Sequence, residues 1–176
     1  MRITKWIFGI ISLLIVVFFA GGFLLPQEVT VARSPELDAP AAQIFPHVNS
    51  PKATEAWSPW LSLDPAPQVT YNDIPEGVGA TMEWSSEDPA VGAGKMELIE
   101  SIPDSKVVSA LDFGEMGLAN ASYDLGEADG KTIVTWGLTA DMGAGPVGRW
   151  MGLMMDRWVG ADYEKGLANL KPLVEG

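Results

Sequence analysis

The apolar positions of this chain follow three periods, and each period predicts a different kind of element. Residues 6 to 25, WIFGIISLLIVVFFAGGFLL, are twenty positions without a charge. At about 1.5 Å per residue they would form a helix of roughly 30 Å, the thickness of a bilayer's hydrocarbon core. From residue 28 the runs shorten. Glu28 to Leu37 begins with β-branched residues and contains Pro35, which suits an edge strand or a bulge. Behind Pro40, the residues Ala41, Ile44, Phe45 and Val48 recur at helical spacing, with Pro46 predicting a kink or an early end. Ser50-Pro51 opens a second short helix through about Trp57, with Ser50 as N-cap and Pro51 as first helical residue.

After the Pro-rich LDPAPQ the period drops to two. Val69 and Tyr71 alternate, then Ala80, Met82 and Trp84 share one face with Thr81, Glu83 and Ser85 on the other. Met96 and Leu98 are opposed by Lys95 and Glu97. PDS at 103–105 and FGEMG at 113–117 read as turns between strands, and Asp129-Gly130 is the strongest hairpin signal in the chain. These runs give six or seven antiparallel strands.

The third period begins at Gly145-Pro146. From Gly160 onward Tyr163, Leu167, Leu170 and Val174 fall on one helical stripe, with Asp162, Glu164, Lys165 and Lys171 largely off it. One antiparallel sheet needs its apolar face covered, and a long amphipathic helix covers it. The fold class is therefore α+β: a curved antiparallel sheet around a long C-terminal helix, preceded by an N-terminal transmembrane helix. Residues 1–26 form the anchor, or a signal peptide, and residues 27–176 the domain.

The first half of the last helix breaks the amphipathic pattern. RWMGLMMDRW, residues 149–158, places Trp150, Met151, Met154 and Trp158 on roughly the opposite side from the core stripe, while Leu153 stays near that stripe. Three readings fit: ordinary core, in which Met fills gaps; the wall of a cavity between helix and sheet, facing Met82, Trp84, Phe113 and Trp136; or contact with a membrane surface. The two Gly, Gly148 and Gly152, weaken the helix here and allow a bend.

Charge narrows the partners. Residues 1–26 hold two of the eleven basic residues and no acid, so the rest of the chain carries nine bases against 23 acids, a net −14. Such a field repels nucleic acid phosphates and anionic headgroups, and excludes nucleic acid as a partner. Arg2 and Lys5 precede the long apolar run and Glu28 is the first charge after it. The positive-inside rule then puts the N-terminus in the cytoplasm and the domain in the periplasm or extracellular space, as a single-pass membrane protein. A signal peptide cut after a small residue such as Ala20 or Gly22 would export the domain equally, although Phe23, Leu24 and Leu25 prolong the run past such a site.

Chemistry-bearing residues are sparse. There is one histidine, His47, and no cysteine, so no metal-ligand cluster, catalytic triad or cofactor motif is present. His47 reads either as a general base at a cavity mouth or as a histidine at a helix end. Alternation turns Glu83 and Asp112 outward, and only a one-residue slip of register would bring a carboxylate inside. Arg149 and Arg157 flank the Trp/Met cluster, as anchors for an acidic headgroup or as solvent-facing partners of Asp156 or Asp162.

VARSPELDAPAAQIFPHVNSPKATEAWSPW, with its Asp38-Ala39-Pro40 turn and Trp57–Trp60, resembles the opening of the SRPBCC (START-like) superfamily, which includes the polyketide cyclase/dehydratase group. GADYEKGLANLKPLVE, residues 160–175, is similar to that family's last helix. The resemblance implies a helix-grip fold over about residues 28–175, with an elongated hydrophobic cavity that in family members holds lipids, sterols, polyketides, quinones or hormones. Taken with the residue pattern, it leads to an expectation of an exported, membrane-anchored domain. That domain binds an apolar small molecule or lipid between sheet and helix, without cofactor or metal, on Met82, Trp84, Phe113, Trp136, Met151, Met154 and Trp158. The competing expectations are a cyclase/dehydratase-type enzyme using a cavity carboxylate or His47, and an acidic protein-interaction module with a filled core.

Overall fold

Alternation and turn chemistry decide the sheet. The computed structural model describes the backbone of residues 2–175 and the side chains of residues 5–114 and 116–175. An N-terminal helix α1 (Arg2–Leu24) hands over to strands β1 (Glu28–Arg33) and β2 (Glu36–Leu37). Two short helices follow, α2 (Ala41–Val48) and α3 (Pro51–Thr54). Strands β3 (Gln68–Tyr71), β4 (Thr81–Ser85), β5 (Ala93–Ile102), β6 (Lys106–Asp112), β7 (Leu118–Ala128) and β8 (Lys131–Asp141) lead to the last helix, α4 (Pro146–Val174). All pairings are antiparallel in the order β1-β8-β7-β6-β5-β4-β3, with β2 also on β8. This is the helix-grip arrangement.

The sheet has eight strands rather than six or seven because Pro35 divides the first. Arg33 lies opposite Trp136 and Glu36 opposite Ile133, so the register is unchanged across the break. Pro35 lacks an N–H but sits on the edge strand, and its carbonyl still accepts from the Val134 N–H at 3.0 Å. The β7–β8 hairpin turns on Asp129 and Gly130, at φ 55° and 78°, the left-handed pair that a type I′ turn requires.

The helices differ from expectation in extent. Helix α2 ends at Val48, two residues after Pro46. Helix α3 is capped by Ser50, whose hydroxyl accepts from Ala53 N–H at 3.4 Å, but it stops at Thr54 rather than near Trp57; the chain continues in turns to Ser58, whose N–H donates to Thr54 O at 2.8 Å. Helix α4 runs unbroken for 29 residues through Gly148 and Gly152. Its Tyr163, Leu167, Leu170 and Val174 are buried, as the periodicity predicts, whereas Leu153 is exposed.

Helix α1 packs on the first turns of α4. The Trp150 ring stacks on Phe18 at 5.8 Å, and its indole N–H donates to Phe18 O at 3.0 Å. Gly21 and Gly22 leave room for Trp150 and Pro146. Most of α1 is exposed, and Lys5–Leu24 is long and apolar enough to cross a membrane, a property that a signal sequence shares. The Arg2 side chain, which enters the orientation argument, lies outside the described residues.

Candidate functional site: the inner face of the sheet

Register fixes which side chains share the face turned toward α4. One row runs Ser101–Val107–Tyr123–Trp136, a second Leu98–Ser109–Ala121–Leu138–Val31, and a third Met82–Met96–Leu111–Ala119–Ala140–Val29. The third lies nearest the end of the sheet where α1 hands over to β1, because Glu28 pairs with Asp141 there.

The two outer rows are filled differently. In the first, Trp136 is 3% exposed and stacks on Tyr163 of α4 with ring centres 3.8 Å apart. Trp57 and Trp60 meet it edge-on at 5.1 and 5.7 Å, and Tyr123 lies 5.3 Å away. The flanking indoles are held at their polar ends: Trp57 donates to His47 O at 3.1 Å and Trp60 to Asp162 Oδ2 at 3.0 Å. Trp136 Nε1 is buried with no hydrogen-bond partner among the described residues. Burial pushes the Tyr123 phenol well above its ordinary pKa, with Tyr163 adding to the shift, and burial likewise raises the Tyr163 phenol, so both are neutral donors at physiological pH.

In the third row small and flexible side chains replace rings. Ala119 and Ala140 occupy the β7 and β8 positions, Met82 and Met96 face each other, and Met96, Leu111, Trp84 and Phe113 are only half-buried. Met155 and Val159 of α4 and Trp60 pack against the core nearby while remaining partly exposed. Trp84 meets Phe113 edge-on at 5.9 Å and donates its indole N–H to Val91 O at 3.3 Å. Its ring lies over Gly94, where a Cβ would come within 2.5 Å of the indole; glycine is what lets the ring rest on the strand. The result is an apolar trough along the inner face, filled by rings at the aromatic end and lined by partly exposed side chains at the other.

The structure brings Met82, Trp84 and Phe113 together on this trough and places Trp136 at its filled end. It sets Met151, Met154 and Trp158 apart, at 50%, 39% and 50% exposure on the outer side of α4. The helix turns Gly148, Gly152, Met155 and Val159 toward the sheet instead. A Cβ at Gly152 would lie 2.8 Å from the Val29 side chain, and one at Gly148 would run into the Met142 carbonyl. Met96, Leu111, Met155 and Val159 were not singled out by the sequence. The alternation that pairs Met96 with Leu98 would have found the first.

The polar candidates take other positions. Glu83 and Asp112 lie on the outer face, where Glu83 pairs with Lys95 across the strands at 3.7 Å and Asp112 accepts from Gly114 N–H at 2.8 Å. With Gln68, Thr70, Ser85 and Lys95, and with Trp84 and Phe113 as well, they border an open groove of about 490 Å³. His47 lies on α2, half-buried, with no carboxylate bonded to it among the described residues. Arg149 is neither solvent-facing nor paired with an acid: it donates to the carbonyls of Phe23 and Leu25 at 3.0 and 3.1 Å, because the end of α1 presents free carbonyls there. Asp156 instead pairs with Arg33 of β1, at 2.9 Å, and Arg33 reaches Glu164 at 2.6 Å; the hydrogen bond from Arg33 holds the Asp156 carboxyl below its ordinary pKa. Among the described residues no cluster of three or more His, Asp or Glu is arranged to hold a metal ion.

Comparison with known proteins locates this arrangement. The family described as polyketide cyclase / dehydrase and lipid transport matches residues 28–175. No curated protein matches the chain by sequence. Among solved structures, the chain is similar to a protein of Chromobacterium violaceum at 16% identity, over 86% of this chain and 99% of that one, with a TM-score of 0.54. It is similar to the di-domain ARO/CYC StfQ of the steffimycin biosynthetic pathway at 11% identity, over 85% of this chain and 51% of that one, with a TM-score of 0.62. It also resembles Ara h 8.0201 at 13% identity, over 81% and 97%, with a TM-score of 0.56. At these identities the structures speak to the fold.

Proposed function

The chain belongs to the polyketide cyclase / dehydrase and lipid transport family, and on that premise we propose that it is a membrane-anchored, exported domain that binds an apolar small molecule or lipid between its sheet and its last helix. Residues 1–26 are the anchor and residues 27–176 the binding domain. The observation that carries this reading is the half-covered end of the trough. Trp84, Met96, Leu111 and Phe113 from the sheet are left incompletely covered there, beside the buried Met82. Partly buried apolar side chains around a concavity favour an apolar guest, and methionines adapt to its shape.

Helix α1 supports the anchored part of the reading by its length and exposed apolar surface. With the N-terminus in the cytoplasm, the acidic domain stands outside the cell or in the periplasm. Met151, Met154 and Trp158 belong to the same reading as the approach to the trough along α4.

The test is the mass of the full-length chain extracted from membranes in mild detergent and freed of micelle by native mass spectrometry. The expected result is a retained apolar species that Trp84→Ala loses. A bare polypeptide mass in both proteins, with no uptake of added fatty acid or sterol, would contradict the proposal.

A further inference from the structure

The outer side of α4 carries an exposed apolar line turned away from the inner face of the sheet. Val147, Met151, Met154 and Trp158 are all exposed and stand at i, i+4, i+7 and i+11, a single line of about 16 Å along the helix. At the same end of the sheet, the turn between β6 and β7 leaves Met116 and Leu118 exposed. Large apolar side chains clustered on the surface mark an interaction site.

Three features specify the occupant. The line begins at Val147, beside Pro146 and Trp150, the residues that pack on Gly21 and Gly22 of α1. It therefore continues the exposed apolar surface of α1 at that helix's C-terminal end. Arg149 fastens this junction by donating to the carbonyls of Phe23 and Leu25 and to Gln27 Oε1, which ties the start of α4 to the end of α1. Register places the β6–β7 turn at that end too, since Leu118 opposes Asp112, and Ala119 opposes Ala140 one residue before the Glu28–Asp141 pair. The excess of acids over bases in the domain, with Glu28, Asp112 and Asp141 at this end, disfavours an anionic surface.

We propose that this rim, the outer line of α4 with the β6–β7 turn, lies in the interface of a zwitterionic phospholipid bilayer, so that the half-covered end of the trough exchanges its ligand directly with the membrane. The proposal rests on α1 being the membrane anchor. The side chains suit the location: Trp158 is an interfacial residue, and methionines enter the acyl boundary without a polar group to desolvate. Lys165 follows two turns later on the same line, where its charge returns to water.

The absence of cysteine makes the test clean, because each substitution gives one labelling site. Met151→Cys, Met154→Cys, Leu14→Cys and Glu76→Cys, each in the full chain, would carry an environment-sensitive fluorophore in phosphatidylcholine vesicles with or without brominated acyl chains. All four positions are exposed, so the fold survives the labels. The expected result is blue-shifted emission and loss of most intensity to bromine at 14, a smaller but clear loss at 151 and 154, and none at 76. Quenching at 14 with 151 and 154 in water overturns the proposal and leaves the anchor standing. A label at 14 that stays in water overturns the anchor and the proposal with it. Equal quenching at 76 overturns the sided placement.

Discussion

The two halves of α4 are built from similarly apolar residues and are used in opposite ways. From Gly160 onward the helix is gripped: Tyr163, Leu167, Leu170 and Val174 are buried, and Gly166 brings the helix so close to the sheet that a Cβ there would stand 2.7 Å from the Trp136 ring. From Pro146 to Val159 the same helix presents glycine to the sheet edge and keeps Trp158 and four large aliphatic or Met side chains, Val147, Met151, Leu153 and Met154, outside. Between the halves sits Arg33, whose guanidinium fills the space beside Gly160 and spans Asp156 and Glu164. The difference teaches that apolar content does not locate the core. Close approach does, and close approach is made by small residues as much as by large ones.

The comparison can be broken most forcefully in the gripped half. Trp136→Ala should lower the unfolding free energy by about 3–5 kcal/mol, measured by denaturant titration, because it empties the centre of the aromatic cluster. Gly166→Ala should cost about 1–3 kcal/mol, since its new methyl meets the Trp136 ring and Pro59, both held in place. Gly160→Ala should cost less, about 1 kcal/mol or under, because the atom in its way is the end of a flexible Arg33 whose exposed ion pairs contribute little. Trp84→Ala, at the half-covered end, should remove ligand retention while costing less stability than Trp136→Ala. In the outer half, Met154→Ser should change unfolding by no more than about 0.5 kcal/mol, and its effect should fall on membrane contact.

Alkaline pH sharpens the same contrast. Burial holds Tyr123 and Tyr163 protonated above the ordinary tyrosine pKa of about 10. Their contribution to folding is therefore complete below about pH 10 and is lost as pH rises through the raised values. Tyr163→Phe should flatten the alkaline limb of a stability–pH profile, and exposed groups of the outer half should leave it unchanged.

Much of this fold is legible in the chain. The alternation in TMEWS orients Met82 and Trp84 inward and Glu83 outward, the Asp129-Gly130 pair sets the β7–β8 register, and Asp38-Ala39-Pro40 with the last helix places the chain in its family. The candidate site is legible only on its strand side. The periodicity of α4 gives the angles of Met151, Met154 and Trp158 around the helix, but not which side meets the sheet. Gly148 and Gly152 hold the sheet-facing positions, and a glycine adds nothing to a hydrophobic stripe while permitting the closest packing. Nor does the sequence reveal that Arg149 and Trp150 would bond to carbonyls of α1, since no spacing links residues more than a hundred positions apart.

The most direct test of the central claim is photolabelling of the full chain in vesicles with a fatty acid bearing a diazirine near its tail, followed by peptide mapping. The account predicts adducts on Met82, Trp84, Met96 or Phe113, reduced by competing unlabelled fatty acid. Adducts confined to α1 and the outer line of α4, with the sheet's inner face unlabelled, would contradict binding in the trough.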